Sequence, residues 1–379
     1  MTGDASSVPT GLAIVGCGFV SDYYLRTLSG HPGLRLVAVT DRDPGRAAAV
    51  AREHRVEHHR SIDTLLADER ISVVVNLTDP RSHHDVTRAA LLADKHVYSE
   101  KPLATDLCRA VELVELSERR GLQLSSAPCS LLGETAQTLW RAIRDRAVGT
   151  VRVVYAEMDE GLVHRMPFRS WSSGTGVPWP HRDEFELGTV LEHAGYVVTW
   201  LPAFFGPAIS VTGTAACLIP DKAGVRTDGT DFSVAVVRFA SGVVARVTCS
   251  LIAPHDHSLR IVGDRGVLST ADTWFYDSPV HVRRSVNLGP RHQWLPRRRR
   301  RLLGSPQRYR YRGAQQMDFA RGLADLADAI VTNRTPRLSA RYCLHTTELV
   351  LALDRGLRDG CSYQMTTSTD PIEPMPWAR

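Results

Sequence analysis

Leu12-Ala13-Ile14-Val15-Gly16-Cys17-Gly18-Phe19-Val20-Ser21 decides how the first half of this chain folds. Four apolar residues in a row ending at a glycine read as a short strand buried on both faces, the habit of a parallel sheet. Residues 19–28 then carry a helical pattern. Outward from this unit the alternation repeats. Leu34 to Thr40 is strand-like, and Asp43-Pro44 opens a helix with an aspartate cap and a proline in the first turn. Ser61-Ile62-Asp63 opens a short helix. Residues 73–77 form a third strand, 81–93 a helix and 96–99 a fourth strand. Thr105 is expected to cap a long helix ending near Gly121, before a fifth strand over 122–125 and a helix over 133–147. Parallel strands need helical crossovers, so strict alternation predicts a doubly wound sheet.

The pattern changes near Gly149. A strand over 151–157 and a helix over 187–201 precede strands over 209–218, 231–239, 243–251, 258–262 and 267–269. Ser241-Gly242 reads as a hairpin turn. After it, Arg246, Thr248 and Ser250 alternate with Val247, Cys249 and Leu251, as in a strand with one buried face. Helices are expected over 317–332 and 342–357, and the Arg- and Pro-rich stretch 285–313 as a loop. The fold class is therefore α/β: an N-terminal Rossmann-type parallel sheet over residues 1–130, then an α+β domain with a mostly antiparallel sheet over 131–379. A length of 379 residues suits about two domains.

Composition excludes several classes. No apolar run approaches the ~20 residues that span a bilayer, and the polar N-terminus lacks an apolar signal core; the expectation is a cytoplasmic protein with no membrane partner. Seven scattered cysteines, an odd number without a CxxC pair, argue against a disulfide framework and against a structural metal site. The net charge of +5 suits an anionic cofactor or substrate. The run Arg297 to Arg301 reads either as a solvated loop or as an anion site. Nucleic-acid binding would want more basic residues with interleaved aromatics.

Between strand and helix, Gly16 permits a tight turn and Gly18 a close backbone approach to a pyrophosphate, whose charge meets the helix N-terminus beside Phe19 and Val20. Ser21 stands where a third glycine or alanine is usual. About 20 positions on, at the end of the second strand, an acidic residue is needed for the ribose hydroxyls. Asp41 is there. This predicts a dinucleotide site for NAD, with NADP open because Arg42 can stack on adenine or hold a 2′-phosphate. Downstream, Glu100-Lys101-Pro102 follows the strand His96-Val97-Tyr98-Ser99. Proline restricts its own φ and the residue before it, so Lys101 projects from a stiff strand end.

With these elements in order, the chain resembles the Gfo/Idh/MocA family of oxidoreductases over nearly its whole length, most strongly from Leu12 to Thr105. Asn76-Leu77-Thr78-Asp79-Pro80-Arg81-Ser82-His83 is similar to the family segment Thr-Pro-Pro-x-x-His, with Asp79 in a proline's place. The resemblance implies that Thr78, His83 and Glu100 lie along the nicotinamide ribose and Lys101 near the reacting carbon. A second family signature, Gly-x-Leu-x-Asp-x-Gly-x-His, falls on Gly188 to Tyr196. Here Glu192 takes the aspartate position, Ala194 the glycine and Tyr196 the histidine. The resemblance also implies a homo-oligomer, dimer or tetramer.

Hydride transfer from an alcohol needs a group for the hydroxyl proton. Tyr196 is a weak base near neutral pH, with an ordinary pKa of about 10, and a lysine cation nearby would favour its phenolate. Tyr196 paired with Lys101 is one candidate; His193 is the other. Glu192 is four residues from Tyr196, hence on the same face of an α-helix, and is a candidate for substrate hydroxyls. Arg165, Trp171, Trp179 and Arg182 lie in an irregular, Gly- and Pro-containing stretch that suits a substrate loop: aromatics stack on sugar faces and arginines grip anionic forks. The expected reaction interconverts a secondary alcohol and a ketone on a sugar, nucleotide sugar or cyclitol. Two other readings stay open: a glycosidase that retains NAD and oxidises its sugar transiently, and a non-catalytic NAD-binding sensor.

Overall fold

Thr10–Val15 (β1) lies inside a six-stranded, all-parallel sheet in a computed structural model that describes residues 8–300, 316–354 and 361–379. The other strands are Leu34–Thr40 (β2), Glu57–His58 (β3), Val73–Asn76 (β4), His96–Ser99 (β5) and Leu124–Ser126 (β6), in the order β3-β2-β1-β4-β5-β6. Helices Ser21–Leu28 (α1), Pro44–His54 (α2), Ile62–Leu66 (α3), His83–Leu92 (α4) and Leu107–Arg120 (α5) alternate with them. Strand order reverses between β1 and β4, the crevice where such sheets take ligands. Every residue of β4 is buried, as expected of an uninterrupted apolar strand covered on both faces.

The Asp43 carboxylate caps α2 by accepting from the N–H groups of Gly45 and Arg46, and the Ser61 hydroxyl caps α3 through Thr64 N–H. The expected cap at Thr105 is corrected. Asp106 has extended backbone and its carboxylate accepts from Arg109 N–H at 2.9 Å, so the neighbouring residue takes the role. β3, only two residues long, is too short to show a period in sequence.

The chain forms two units. Among the described residues, the first comprises 8–127, 171–179 and 319–344, and includes helix Arg321–Val331; the second comprises 128–170, 180–300, 316–318, 345–354 and 361–379. The second unit carries a ten-stranded sheet. Its central strand Val151–Asp159 pairs in parallel with Val244–Ser250; the remaining pairings are antiparallel. Ala245, Val247 and Cys249 point into the core, as the alternation predicts, and Gly242 turns the hairpin.

Two expectations fail here. The single helix over 187–201 is broken into His181–Leu187, a π-helical turn Val190–Ala194, and short α segments Gly195–Val198 and Leu201–Phe205. Gly188, at φ +95°, ends the first piece, and a Cβ there would meet Thr230 N at 2.7 Å. The loop expected over 285–313 instead holds strand over much of 280–300: Val280–Leu288, Arg291–Trp294 and Arg298–Arg300. Alternating valines build the first strand. Arginine is no obstacle on a short edge strand, where charge blocks further pairing, and Arg300 meets Asp145 at 3.1 Å. Arg301 and the rest of that stretch to 315 lie outside the described residues, as does the predicted end of the last helix, 355–357. Cys17, Cys129, Cys249 and Cys343 are buried and in no disulfide. Among the described residues no helix is long and apolar enough to cross a membrane.

Candidate active site

At the end of β1 the chain turns through Gly16 at φ +100°, a left-handed conformation that side chains resist. A Cβ at Gly16 would meet the Leu77 carbonyl oxygen at 2.5 Å, so glycine is required twice over. A Cβ at Gly18 would meet nothing within 4 Å: the backbone there faces open space, as a loop that cradles a phosphate must. The Ser21 hydroxyl donates to Gly18 carbonyl at 2.7 Å, turning the departure from a third glycine into a loop tie. Asp41 accepts from Cys17 N–H at 2.6 Å through one oxygen and from Asp43 N–H at 2.7 Å through the other, locking the ends of β1 and β2 together. Burial and the Asp41 charge push the Cys17 thiol up to about 12, so it stays protonated.

These residues open on a cavity of about 360 Å³ lined by Gly16, Gly18, Asp41, Arg42 and Thr78 together with Arg46, Arg60, Ser61 and Asp79. Arg46, Arg60 and Ser61 were not singled out from sequence; the last two follow the two-residue strand β3. Phe19 and Val20 are not among the lining residues, and Phe19 instead packs edge-on against Tyr23.

Glu100, Lys101 and His83 build the next layer. Glu100 is buried; one oxygen accepts from Tyr24 hydroxyl at 2.7 Å, the other from Lys101 N–H at 2.9 Å. Lys101 is half-buried and its bond to Pro102 is cis. His83 is fully buried between two carbonyls, Nδ1 at 2.7 Å from Pro102 O and Nε2 at 3.0 Å from Thr78 O. Neutral, it has one N–H to donate to one of these carbonyls and seats its other nitrogen against the second, between the cavity-lining loop after β4 and the loop that carries Lys101.

In the second unit a separate group of polar and aromatic side chains surrounds Tyr196. Its ring stacks on Trp274 at 4.0 Å, and His193 lies 6.1 Å from the same indole. The π turn interrupts the α-helical spacing that would set Glu192 and Tyr196 on one face. His193 and Tyr196, three apart, share Trp274, while Glu192 is buried. On Trp274 also stacks His257, at 5.4 Å, whose Nε2 is 3.2 Å from Glu160 Oε1. Burial alone would raise Glu160, but His193, His257 and His255 hold it below its ordinary value. Burial alone would lower His257, yet Glu160 raises it. Trp274, His257 and Glu160 come from three distant stretches, and a His-x-His pair at 255 and 257 was the one local signal for them.

Residues 10–127 match the family model described as the oxidoreductase family with NAD-binding Rossmann fold, and residues 136–269 match that of the GFO/IDH/MocA C-terminal domain. The chain belongs to the Gfo/Idh/MocA family. It is an NAD(P)-dependent oxidoreductase. The inositol 2-dehydrogenase of Acidothermus cellulolyticus is 29% identical over 69% of this chain and 72% of its own, and the D-apiose dehydrogenase of Paraburkholderia graminis 28% identical over 63% and 60%. Among solved structures, a 3-ketoreductase from Actinomadura kijaniata in complex with NADP shares the fold at TM-score 0.70, with 19% identity over 92% of this chain and 98% of the other. An aldose-aldose oxidoreductase from Caulobacter crescentus does so at 0.73, with 17% identity over 94% and 100%.

Of the expected substrate-loop residues, Trp171 and Trp179 pack on each other at 5.1 Å in the first unit of this Gfo/Idh/MocA chain, whereas Arg165 and Arg182 are exposed and belong to the second. The loop thus divides between units.

The His83 bridge predicts a pH dependence. Burial lowers its pKa against the pull of the two carbonyls and Glu100. Below the ordinary histidine value of about 6.5, the unfolded imidazole takes a proton that the folded one refuses, so stability is lost as pH falls from there. The urea midpoint is expected to drop between pH 7 and 5, and less steeply in His83→Gln. Comparing the two slopes cancels His257, whose raised pKa acts in the opposite sense. Equal slopes would remove His83 from the account.

Proposed function

We propose that the protein interconverts a secondary alcohol and a ketone on a sugar, nucleotide sugar or cyclitol. The bound nicotinamide supplies or accepts the hydride. The observation that carries the reading is the His83 bridge, which joins the cavity-lining loop to the strand end bearing Lys101. Relatives named for inositol and apiose substrates support the substrate class. The fit to the dinucleotide is supported by the open space over Gly18 and by the anchored carboxylate of Asp41, which retains acceptor sites for ribose hydroxyls.

In this reading Lys101 presents ammonium donors to the reacting oxygen, and Tyr196 or His193 carries the proton. Glu192, Arg165, Trp171, Trp179 and Arg182 are proposed substrate contacts. A panel of polyols, cyclitols and keto-sugars, followed through the nicotinamide absorbance, tests the reading; no turnover in either direction with either cofactor would count against it.

Arg42, Arg46 and Arg60 on the cavity wall support NADP as well as NAD. Arginine is suited to a 2′-phosphate, and a hydrogen bond to a charged group contributes about 1.5–3 kcal/mol. Arg42→Ala and Arg60→Ala are each expected to weaken NADP by about 10–100-fold by that magnitude, leaving NAD nearly unchanged. Calorimetric titration with both cofactors measures it; equal losses would show that these arginines do not read a 2′-phosphate.

A further inference from the structure

His255, His257 and Asp272 lie outside every motif singled out from the sequence. We propose that they bind a divalent transition-metal ion of the Zn²⁺ type. Each offers one ligand atom, and these atoms lie within 4.8 Å of one another. The backbone holds the frame. His257 and Asp272 face each other across a parallel bridge, Thr273 N–H donates to His257 carbonyl at 2.9 Å, and Asp256 pairs with Asp159 through bonds of 2.9 and 3.0 Å. Asp272 Oδ1 accepts from Trp274 N–H at 2.7 Å and Phe275 N–H at 3.1 Å, which orients the carboxylate and leaves Oδ2 for a ligand.

The second observation is His257 itself. It is 4% exposed, and neither ring nitrogen makes a well-aligned hydrogen bond. Its Nε2 faces Glu160 Oε1 at 3.2 Å. A metal-bound histidine characteristically gives its other ring nitrogen to a carboxylate, which fixes the tautomer and strengthens the ligand. With Nε2 turned toward that carboxylate, Nδ1 is the nitrogen left to ligate. Two imidazoles and a carboxylate are the donors that zinc or cobalt accepts; calcium and magnesium want oxygen alone. His255 is exposed and free to swing the short distance that zinc–nitrogen bonds of about 2.0–2.1 Å require. The other His/acid cluster, Glu57, His59 and Asp68, already has a cation: the Arg70 guanidinium contacts both carboxylates. Bound at His257, the ion would tie the 255–257 loop to the 272–275 segment and hold the imidazole on which Trp274 rests.

The test uses the full chain, stripped with chelator, dialysed and titrated with Zn²⁺ by calorimetry and with Co²⁺ by visible absorption. The expected result is one site per chain and an intense cobalt spectrum of low coordination number. Glu160→Gln should weaken Zn²⁺ by about 10–100-fold, the usual cost of an outer partner, and His255→Ala and Asp272→Asn by more. Asp272→Asn keeps the oxygen that caps Trp274, and His255 is exposed, so both variants should fold. Absence of stoichiometric binding overturns the proposal. So does affinity unchanged in His255→Ala and Asp272→Asn, which would place the ion elsewhere, for example at Glu57, His59 and Asp68.

Discussion

Lys101→Ala is expected to lower kcat/KM by about 10²–10⁴-fold, the range for loss of a positioned proton-handling or charge-stabilising group, while NAD(P) affinity changes little. The separation rests on geometry. The cavity beside Gly16 and Gly18, proposed for the dinucleotide, is lined by residues from the ends of β1, β2 and β4 and from the loop after β3; Lys101 is not among them. Three bonds that hold its loop are made by main-chain atoms or neighbours: Lys101 N–H to Glu100 Oε2, Glu100 Oε1 to Tyr24, Pro102 carbonyl to His83. These three survive truncation at Cβ. Lys101→Arg should recover little, since a planar, bulkier fork cannot replace a compact point charge. Steady-state kinetics on the best substrate of the panel, beside calorimetric cofactor binding, separates the two effects. Activity within about threefold of wild type, against the 10²-fold floor, would remove Lys101 from the chemistry. A parallel loss of cofactor affinity would make it a binding residue instead.

What could be read from the chain divides along a physical line. The turn at Gly16 and Gly18 and the place of Asp41 at the end of β2 were legible because a tight strand–turn–helix imposes its demands within a few residues, and backbone demands leave a mark on residue type. The parallel sheet was legible because its central strands β1 and β4 are buried apolar runs between helix signals. The π turn at Val190–Ala194 was not: its residues are ordinary helix formers, and the break is set by Gly188 against Thr230, a contact made only in the folded chain. The strands between 280 and 300 were hidden by arginines that an edge tolerates. Arg60 reaches the cavity wall through β3, a strand without a readable period. Glu160, His257 and Trp274 meet only in the fold, and their separations along the chain carry no period that could have signalled it.

Tyr196→Phe carries the second large effect, a fall in kcat of about 10²-fold at neutral pH with KM little changed. Phenylalanine keeps the ring, and the ring is what stacks on Trp274 at 4.0 Å. The Tyr196 carbonyl keeps its hydrogen bond from Ser130, whose hydroxyl in turn accepts from Trp200, so the local fold is anchored independently of the phenol. The variant therefore reports on the hydroxyl. If that oxygen moves the proton, the variant should also lose the limb of the pH–rate profile that belongs to it, because a missing group cannot titrate. His193 is the competitor, placed against the same indole at 6.1 Å. Its removal as His193→Gln is expected to cost less, on the order of tenfold, and to leave the profile's shape. The pair of variants is decisive in either direction. Full activity of Tyr196→Phe across the pH range, with collapse of His193→Gln, would pass the proton to the imidazole. A tyrosine, with an ordinary pKa near 10, can serve at neutral pH only with help from a cation. Loss of the Tyr196 limb in Lys101→Ala as well would identify that cation as Lys101.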